Sequence, residues 1–479
     1  MKLKKILDGV EVLYAEGSKN IDINKICIST NEVTAGSLYI ALKGLKHDGH
    51  NFLQQAESMG AKAFIVEKYV DGLNVPQVIV KDTRKALSII ASNFYKYKNK
   101  MKIIGITGTN GKTTTTYMLK NILECAGKKV AIIGTEGIYY GGQKINLNMT
   151  TPDPIDLFKY LKLMADSGVQ YVVMEVSAHA IFLNKISPIK FYAKALTNIT
   201  EDHLDFFITM ENYAKVKMDY INSQECIKVV NNDDPMGLKL SQDNKKIFSF
   251  AIDEKADVFA YDLSRDGSRY AVSMFDKNLD INARVLGRYN IENALCAISL
   301  ASLMGIKEKY ITTGINTFQS VAGRMNIYKN GGKRAIVDFA HTPDAMQKLF
   351  TTIRPFTNGR LICVFGCGGN RDAQKRGIMG NIATLLCDKV YITNDNPRYE
   401  NPEDIAKDIV GGITTNNYEI ILNRKEAIKM ATQEMQDGDV LVLCGKGAES
   451  YIEIKGQKCE YSEKQELEKC GFFSGETEK

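Results

Sequence analysis

Met101-Lys102-Ile103-Ile104-Gly105-Ile106-Thr107-Gly108-Thr109-Asn110-Gly111-Lys112-Thr113-Thr114-Thr115-Thr116-Tyr117 decides how this chain is read. Its first six residues are mostly apolar and β-branched, as a buried strand requires. Met118-Leu119-Lys120-Asn121-Ile122-Leu123 then resumes with helical spacing. Strand, glycine loop and helix together form the setting of a phosphate-binding loop. Gly108 and Gly111 let the N–H groups around Thr109 and Asn110 close on phosphate oxygens. Lys112 supplies positive charge to the terminal phosphates, Thr113 offers a hydroxyl to Mg²⁺, and the helix start at Thr114 adds its dipole. The motif is a short form, because Ile106 stands where the longer pattern has glycine. The chain is therefore expected to hydrolyse or transfer phosphate from a nucleotide.

At 479 residues the chain is too long for one core and suggests three domains. Hydrophobic content of 44% and charged content of 25% are those of a globular protein. A net charge of +6 without a basic block argues against nucleic-acid binding. Asp8 and Glu11 interrupt the N-terminal apolar run too early for a signal peptide, and no run is long enough to span a bilayer. The ten cysteines are scattered, with Cys363 and Cys367 the one close pair. They read as reduced thiols of a cytoplasmic protein. A monomer without membrane insertion is expected.

The fold class is α/β, with boundaries at 1–98, 99–322 and 323–479. The first part is a small α/β domain with strands at Ser37–Leu42, Ala63–Val66 and Gln77–Val80 and helices at Asn51–Gly60 and Thr83–Tyr97. Tyr97-Lys98-Asn99-Lys100 reads as a linker. The second carries the phosphate loop, and its alternating strands and helices predict a mostly parallel sheet, with ligands at the strands' carboxyl ends. Short alternating strands between 258 and 286 predict an antiparallel extension. The third is another α/β unit, with frayed final residues.

Glu175 ends the strand Tyr171–Val176, and His203 follows the strand Ala193–Asn198. A carboxylate and an imidazole beside the phosphate loop suit Mg²⁺; each alone is equally a strand-end hydrogen-bonding residue. Lys217, from physics alone, reads as a helix-surface lysine. Two loops of the third unit, Cys363–Asp372 and Thr393–Arg398, each follow a strand and carry an arginine, which suits an anionic group; Asn, Asp and Pro there equally serve turns. Gly445-Lys446-Gly447-Ala448-Glu449 follows another strand and could complete the same pocket.

Taken in order, these segments resemble the Mur ligase family of peptidoglycan synthesis. The resemblance is carried by Gly108–Thr113, Thr150-Thr151-Pro152-Asp153, Glu175-Val176-Ser177, Thr197-Asn198 with Asp202-His203-Leu204-Asp205, and Asn290-Ile291-Glu292-Asn293-Ala294. It continues through Gly323-Arg324, Asp338–Ala345, the Gly366 loop, Asp395-Asn396-Pro397-Arg398 and Gly445-Lys446-Gly447. It implies a UDP-binding domain, a central ATPase and a C-terminal, Rossmann-like amino-acid-binding domain. The implied reaction phosphorylates a carboxylate of a UDP-muramoyl dipeptide with ATP, and an amine then attacks the acyl phosphate. By the same resemblance Lys112, Lys217, His203 and Glu175 are catalytic. Thr113 and Glu175 bind magnesium, His203 holds a second ion, and Lys217 carries a CO₂-derived carbamate that serves as a metal ligand. Asn290, Arg324 and Asp338 surround the nucleotide, and Thr30, Thr150, Thr151, Ser177 and Lys185 contact the UDP-sugar peptide. Arg371, Asp395, Asn396, Arg398, Gly445 and Glu449 contact the incoming amino acid.

The loop ending in Arg398 resembles the form that takes meso-diaminopimelate, whose second carboxylate an arginine grips bidentately. The chain departs from the family's pattern at Thr30-Asn31, Ala178, Lys185, Asn370, Gly377 and Ala448. Two other readings stand beside this one: a related ligase using L-lysine or another amine or acceptor, and a nucleotide-binding protein without catalysis.

Overall fold

The computed structural model describes residues 1–44, 47–98, 100–147 and 149–474. The chain divides into two compact units. The first comprises Met1–Thr107, Gly127–Ala195 and Asp219–Ile227; the second comprises Gly108–Ala126, Leu196–Met218 and Lys228–Lys479.

The first unit opens with a five-stranded sheet in the order Val12–Glu16, Gln77–Val80, Ala61–Val66, Ser37–Ile40, Lys25–Cys27. The last four are parallel, and Val12–Glu16 joins antiparallel at the edge. The helix Thr83–Phe94 starts where Asp82 accepts from the N–H groups of Arg84 and Lys85, at 2.8 and 3.0 Å. It ends three residues short of the expected Tyr97. Tyr97 is not a free linker residue: its ring packs against Phe158 at 5.4 Å. Asn99 of that expected linker lies outside the described residues.

The same unit carries strands in the order Ala193–Leu196, Lys102–Thr107, Tyr171–Glu175, Val130–Gly134, Gly137–Tyr140, Gln143–Ile145. Lys102–Thr107 and Val130–Gly134 flank Tyr171–Glu175 in parallel, each fully buried but for Lys102. Near-continuous apolar runs are what a sheet covered on both faces demands.

In the second unit the helix Lys112–Cys125 packs on Arg288–Leu303 and Glu308–Thr317. A Cβ on Gly314 would come within 2.5 Å of the Ile122 backbone, so only glycine permits this helix approach. The strands Val258–Tyr261, Arg269–Met274 and Lys277–Asn282 form the expected antiparallel extension. A seven-stranded sheet follows, ordered Tyr418–Ile420, Lys389–Ile392, Leu361–Phe365, Val440–Cys444, Lys333–Asp338, Asn326–Asn330, Phe473–Ser474. Its first five strands are parallel. Phe473–Ser474 pairs with Asn326–Asn330, so the fraying expected from residue 471 onward is corrected for that stretch; residues 475–479 lie outside the described ones.

One buried ion pair ties two carboxyl-end loops of this sheet together. Arg424 and Glu463 are 0% and 1% exposed in their side chains, with Nε and Nη2 donating to Oε1 at 2.9 and 2.5 Å. The guanidinium also donates to the carbonyls of Asn394 and Cys444, and Tyr461 donates to the remaining carboxylate oxygen. Arg424→Met is expected to cost about 3–5 kcal/mol by leaving Glu463 charged and unpaired. Pairing it with Glu463→Leu should recover most of that loss; urea unfolding of the three proteins checks both outcomes.

Candidate active site

In the first unit Glu175 is fully buried at the carboxyl end of its strand. Its Oε1 accepts from the Thr135 N–H at 2.9 Å, and its Oε2 accepts from the Thr135 hydroxyl at 3.1 Å. Thr150 Oγ1 lies 3.1 Å from that hydroxyl. Thr151 donates to the Glu175 carbonyl at 2.9 Å and accepts from the Ser177 N–H at 3.1 Å. Lys185 pairs with Asp153 at 2.8 Å. The structure thus gathers Glu175, Thr150, Thr151 and Ser177 into one network, with Lys185 on the segment beside it. Thr30 and Asn31 stand apart from them in sequence, on a 3₁₀ turn at Thr30–Glu32.

Gly134 leaves the room that Glu175 fills: a Cβ there would meet Oε1 at 2.1 Å. On the reading of Glu175 as a magnesium ligand, Gly134→Ala is expected to displace the carboxylate and lower turnover by about 10–100-fold, with a higher magnesium concentration for half-maximal rate. Titrating magnesium against the rate checks this.

In the second unit the phosphate loop is held in shape before any nucleotide binds. Gly108 has φ +149° and Gly111 φ +84°, and a Cβ on either would strike Thr197 or Asn293. Thr109 N–H donates to the Asn198 carbonyl at 2.8 Å, and Asn110 N–H donates to the Asn198 side chain at 2.9 Å. Lys112 curls back, donating to the Gly108 and Thr109 carbonyls at 2.9 and 2.8 Å. Thr113 is buried on the helix's first turn and Thr114 is half-buried beside it.

Lys217 overturns its reading as a surface lysine: it is 1% exposed. It lies on the helix Met210–Asn222, one turn after Tyr213, with Nζ 4.6 Å from the Tyr213 ring centre. Tyr213 Oη lies 3.2 Å from Thr109 Oγ1, which joins this helix to the phosphate loop. Burial first, and then the neighbouring Lys112 charge, push the Lys217 amine well below the usual lysine range, against Asp202 and Asp234.

Asp202 is buried, with Lys375 Nζ 3.3 Å from Oδ1 and His203 Nε2 3.5 Å from Oδ2. Burial pushes its carboxyl up, but His203, Lys375, His341 and Lys112 together hold it well below the usual range. His203 sits at φ +58°, a left-handed conformation uncommon outside glycine. Burial and Lys375 pull the His341 imidazole down to about 4, so it is neutral near pH 7.

Asn290 reaches the loop through Asn293, whose Nδ2 donates to Asn290 Oδ1 at 3.3 Å and whose Oδ1 accepts from Thr115 at 3.3 Å. Arg324 stacks its guanidinium 4.3 Å from the Phe339 ring centre. Asp338 accepts from the Met325 and Ala340 N–H groups, both at 2.8 Å, and burial raises its carboxyl despite Arg324. Its carbonyl accepts from the Gly445 N–H at 3.2 Å, where the second pocket begins.

That pocket lies at the carboxyl ends of the seven-stranded sheet, where the strand order reverses and ligands of open α/β sheets are held. Arg398 Nη1 donates to the Gly369 carbonyl at 2.8 Å, and Gly368 leaves space between it and Arg371. Asn396 Nδ2 donates to Glu449 Oε2 at 2.9 Å, and the fully buried Lys446 donates to both, at 3.0 and 2.6 Å. A Cβ on Gly445 would meet Asp395 Oδ2 at 2.8 Å. Asn198, Tyr213, Asn293, Lys375 and Lys446 were not singled out as site residues from the sequence. Asn198, Asn293 and Lys446 lie within the segments that carry the family resemblance, and the four-residue spacing of Tyr213 and Lys217 was a signal for Tyr213.

A phosphate loop, and a Rossmann-like sheet whose carboxyl-end loops carry an arginine and carboxylates, define a nucleotide-dependent class of enzyme. Three family models cover most of the chain: the Mur ligase family catalytic domain at 22–95, the Mur ligase middle domain at 106–301 and the Mur ligase glutamate ligase domain at 323–447. The UDP-N-acetylmuramoyl-L-alanyl-D-glutamate–2,6-diaminopimelate ligase of Clostridium tetani is 40% identical over 476 residues, covering 97% of this chain and 98% of that protein. The corresponding ligase 1 of Clostridium acetobutylicum is 41% identical over 477 residues, covering 98% of each. A solved structure of a ligase bearing the same name superposes with a TM-score of 0.69 at 26% identity, covering 98% of both chains. MurF ligase from Thermotoga maritima, solved with ADP, shares the fold at a TM-score of 0.63 and 20% identity, over 88% of this chain and 93% of that one. The chain belongs to the Mur ligase family, enzymes that form C–N amide bonds at the expense of ATP.

Proposed function

We propose that this enzyme joins meso-diaminopimelate to the glutamate carboxylate of UDP-N-acetylmuramoyl-L-alanyl-D-glutamate, releasing ADP and phosphate. The observation that carries this reading is the loop Asp395–Arg398, in which Asn396 donates to Glu449 and Arg398 to the Gly369 carbonyl: a guanidinium for a far carboxylate, and a carboxylate for the ammonium beside it. Relatives of that name aligned over the whole chain support it. The division into 1–98, 99–322 and 323–479 belongs to the same proposal, with Thr30, Thr150, Thr151, Ser177 and Lys185 as contacts of the UDP-sugar peptide.

Among the described residues no cluster of three or more His, Cys, Asp or Glu forms a metal cage. That fits magnesium, which takes one or two protein oxygens and completes its shell with phosphate and water. Thr113, Glu175, His203 and carbamylated Lys217 would serve as magnesium ligands. Bound there, magnesium neutralises phosphate charge. A lysine amine kept neutral by burial can add to CO₂, forming the N–C bond and releasing one proton, and it then presents a carboxylate in place of an ammonium.

Gly108–Lys112 grips the phosphates, and Lys112 turns from the loop carbonyls to the charge that builds on the transferred phosphoryl group. The dipeptide carboxylate attacks the γ-phosphorus, ADP leaves, and an acyl phosphate forms. Arg371, Asp395, Asn396, Arg398, Gly445 and Glu449 orient the amine for attack on that carbonyl, and the tetrahedral intermediate expels phosphate. The ten cysteines are all free thiols, which suits a reducing cytoplasm; no helix of the described residues is long and apolar enough to cross a membrane. A monomer is proposed. Phosphate release measured with UDP-muramoyl dipeptide and either meso-diaminopimelate or L-lysine tests the reading. Release that depends on diaminopimelate supports it; preference for lysine or another amine refutes it.

A further inference from the structure

The hairpin of Tyr451–Ile454 and Gln457–Glu460 packs on the Asp395–Arg398 loop, and Glu453 supplies its charged side chain there. The Glu453 N–H donates to Asn396 Oδ1 at 2.8 Å. Its carbonyl accepts from the Arg398 N–H at 3.0 Å, and its Oε2 lies 3.3 Å from Arg398 Nε. Arg398 sits at φ +52° and bridges in parallel to Ile454, with its carbonyl accepting from Lys455 at 2.7 Å. Nη1 donates to the Gly369 carbonyl and Nε faces the Glu453 carboxylate as an ion pair, so the guanidinium is held from two sides. Among the described residues Nη2 makes no hydrogen bond.

We propose that Glu453 is a positioning residue that sets selectivity for an amine bearing a second carboxylate, an inference that rests on the diaminopimelate reading of this pocket. A free arginine side chain samples many rotamers, and tying Nε to Glu453 removes that freedom before the ligand arrives. The edge carrying Nη2 is then presented for charge-assisted bonding to a carboxylate. Charge balance points the same way. Arg398 faces Glu453, and Lys446 faces Glu449, so two cations meet two carboxylates. A ligand end with one ammonium and one carboxylate enters without leaving a charge unpaired. A lone ammonium brings no anion for Arg398.

The test compares wild type with Glu453→Gln, which keeps the side-chain shape and the backbone bonds while removing the charge. Steady-state rates are measured with meso-diaminopimelate and with L-lysine, alongside the melting temperature. The KM for diaminopimelate should rise about tenfold. The kcat, the KM for ATP, the melting temperature and the kcat/KM for lysine should hold. Glu453→Asp should restore part of the loss, and in an Arg398→Ala background Glu453→Gln should change nothing further. An unchanged KM for diaminopimelate, or an equal loss with both amines, overturns the proposal. A wild type that does not prefer diaminopimelate refutes the substrate reading first and this inference with it, whereas a preferring wild type with an indifferent Gln variant refutes this inference alone.

Discussion

Lys217→Ala is expected to cut turnover by about 10²–10³-fold, and millimolar acetate or formate to restore part of it. The lysine is buried on its helix, against the Tyr213 ring and close to Lys112, so an ammonium there is opposed by both desolvation and a like charge. A carbamate reverses the sign: the side chain ends in a carboxylate, which suits the cations gathered around Asp202 and the phosphate loop. Alanine removes that carboxylate and leaves space for a small anion to stand in its place. Lys217→Met removes the charge but fills the space, so it should be equally slow and resist rescue. Intact-mass measurement under CO₂ should show the adduct in the wild type alone. If neither acid restores the alanine variant and no adduct is seen, the carbamate is wrong and Lys217 is an uncharged structural amine.

Arg398→Ala should lower kcat/KM for diaminopimelate by about 30–1,000-fold, which corresponds to about 2–4 kcal/mol, while leaving the KM for ATP as it was. The size follows from what is stranded. With the guanidinium gone, the far carboxylate of the ligand is desolvated without a partner, and Glu453 and Glu449 remain nearby to repel it. L-lysine has no such carboxylate and should lose little, so the ratio of the two specificity constants is the sharpest measurement. A loss common to both amines would instead indicate that Arg398 shapes the Asp395–Arg398 loop, where its left-handed backbone already ties it to Lys455.

Much of this was legible from local pattern. Strand–glycine–helix at Lys102–Cys125 follows from the residues alone, because only glycine tolerates the backbone angles at 108 and 111. The strands at Gln77–Val80 and Val440–Cys444 appear with the bounds their apolar runs imply. The antiparallel turn after Val258 follows from period-two alternation. Thr83–Phe94 is shorter than its periodicity suggested because Tyr97 leaves the helix to pack on Phe158.

Environment is another matter. Lys217 has polar and apolar neighbours in sequence that fit an exposed helix face, and its amine becomes unusual only when Tyr213, Lys112, Asp202 and Asp234 surround it. Lys375 meets Asp202 across 173 residues of chain, and Glu453 meets Asn396 across 57. No periodicity encodes such pairs. The sequence by itself determined the strand–glycine–helix unit and which loops carry arginine, since both depend on backbone conformation and residue type within a few positions. Only the tertiary structure decided which lysine is stripped of water and which carboxylate steadies Arg398, because desolvation and charge pairing depend on what the rest of the chain brings within a few ångströms.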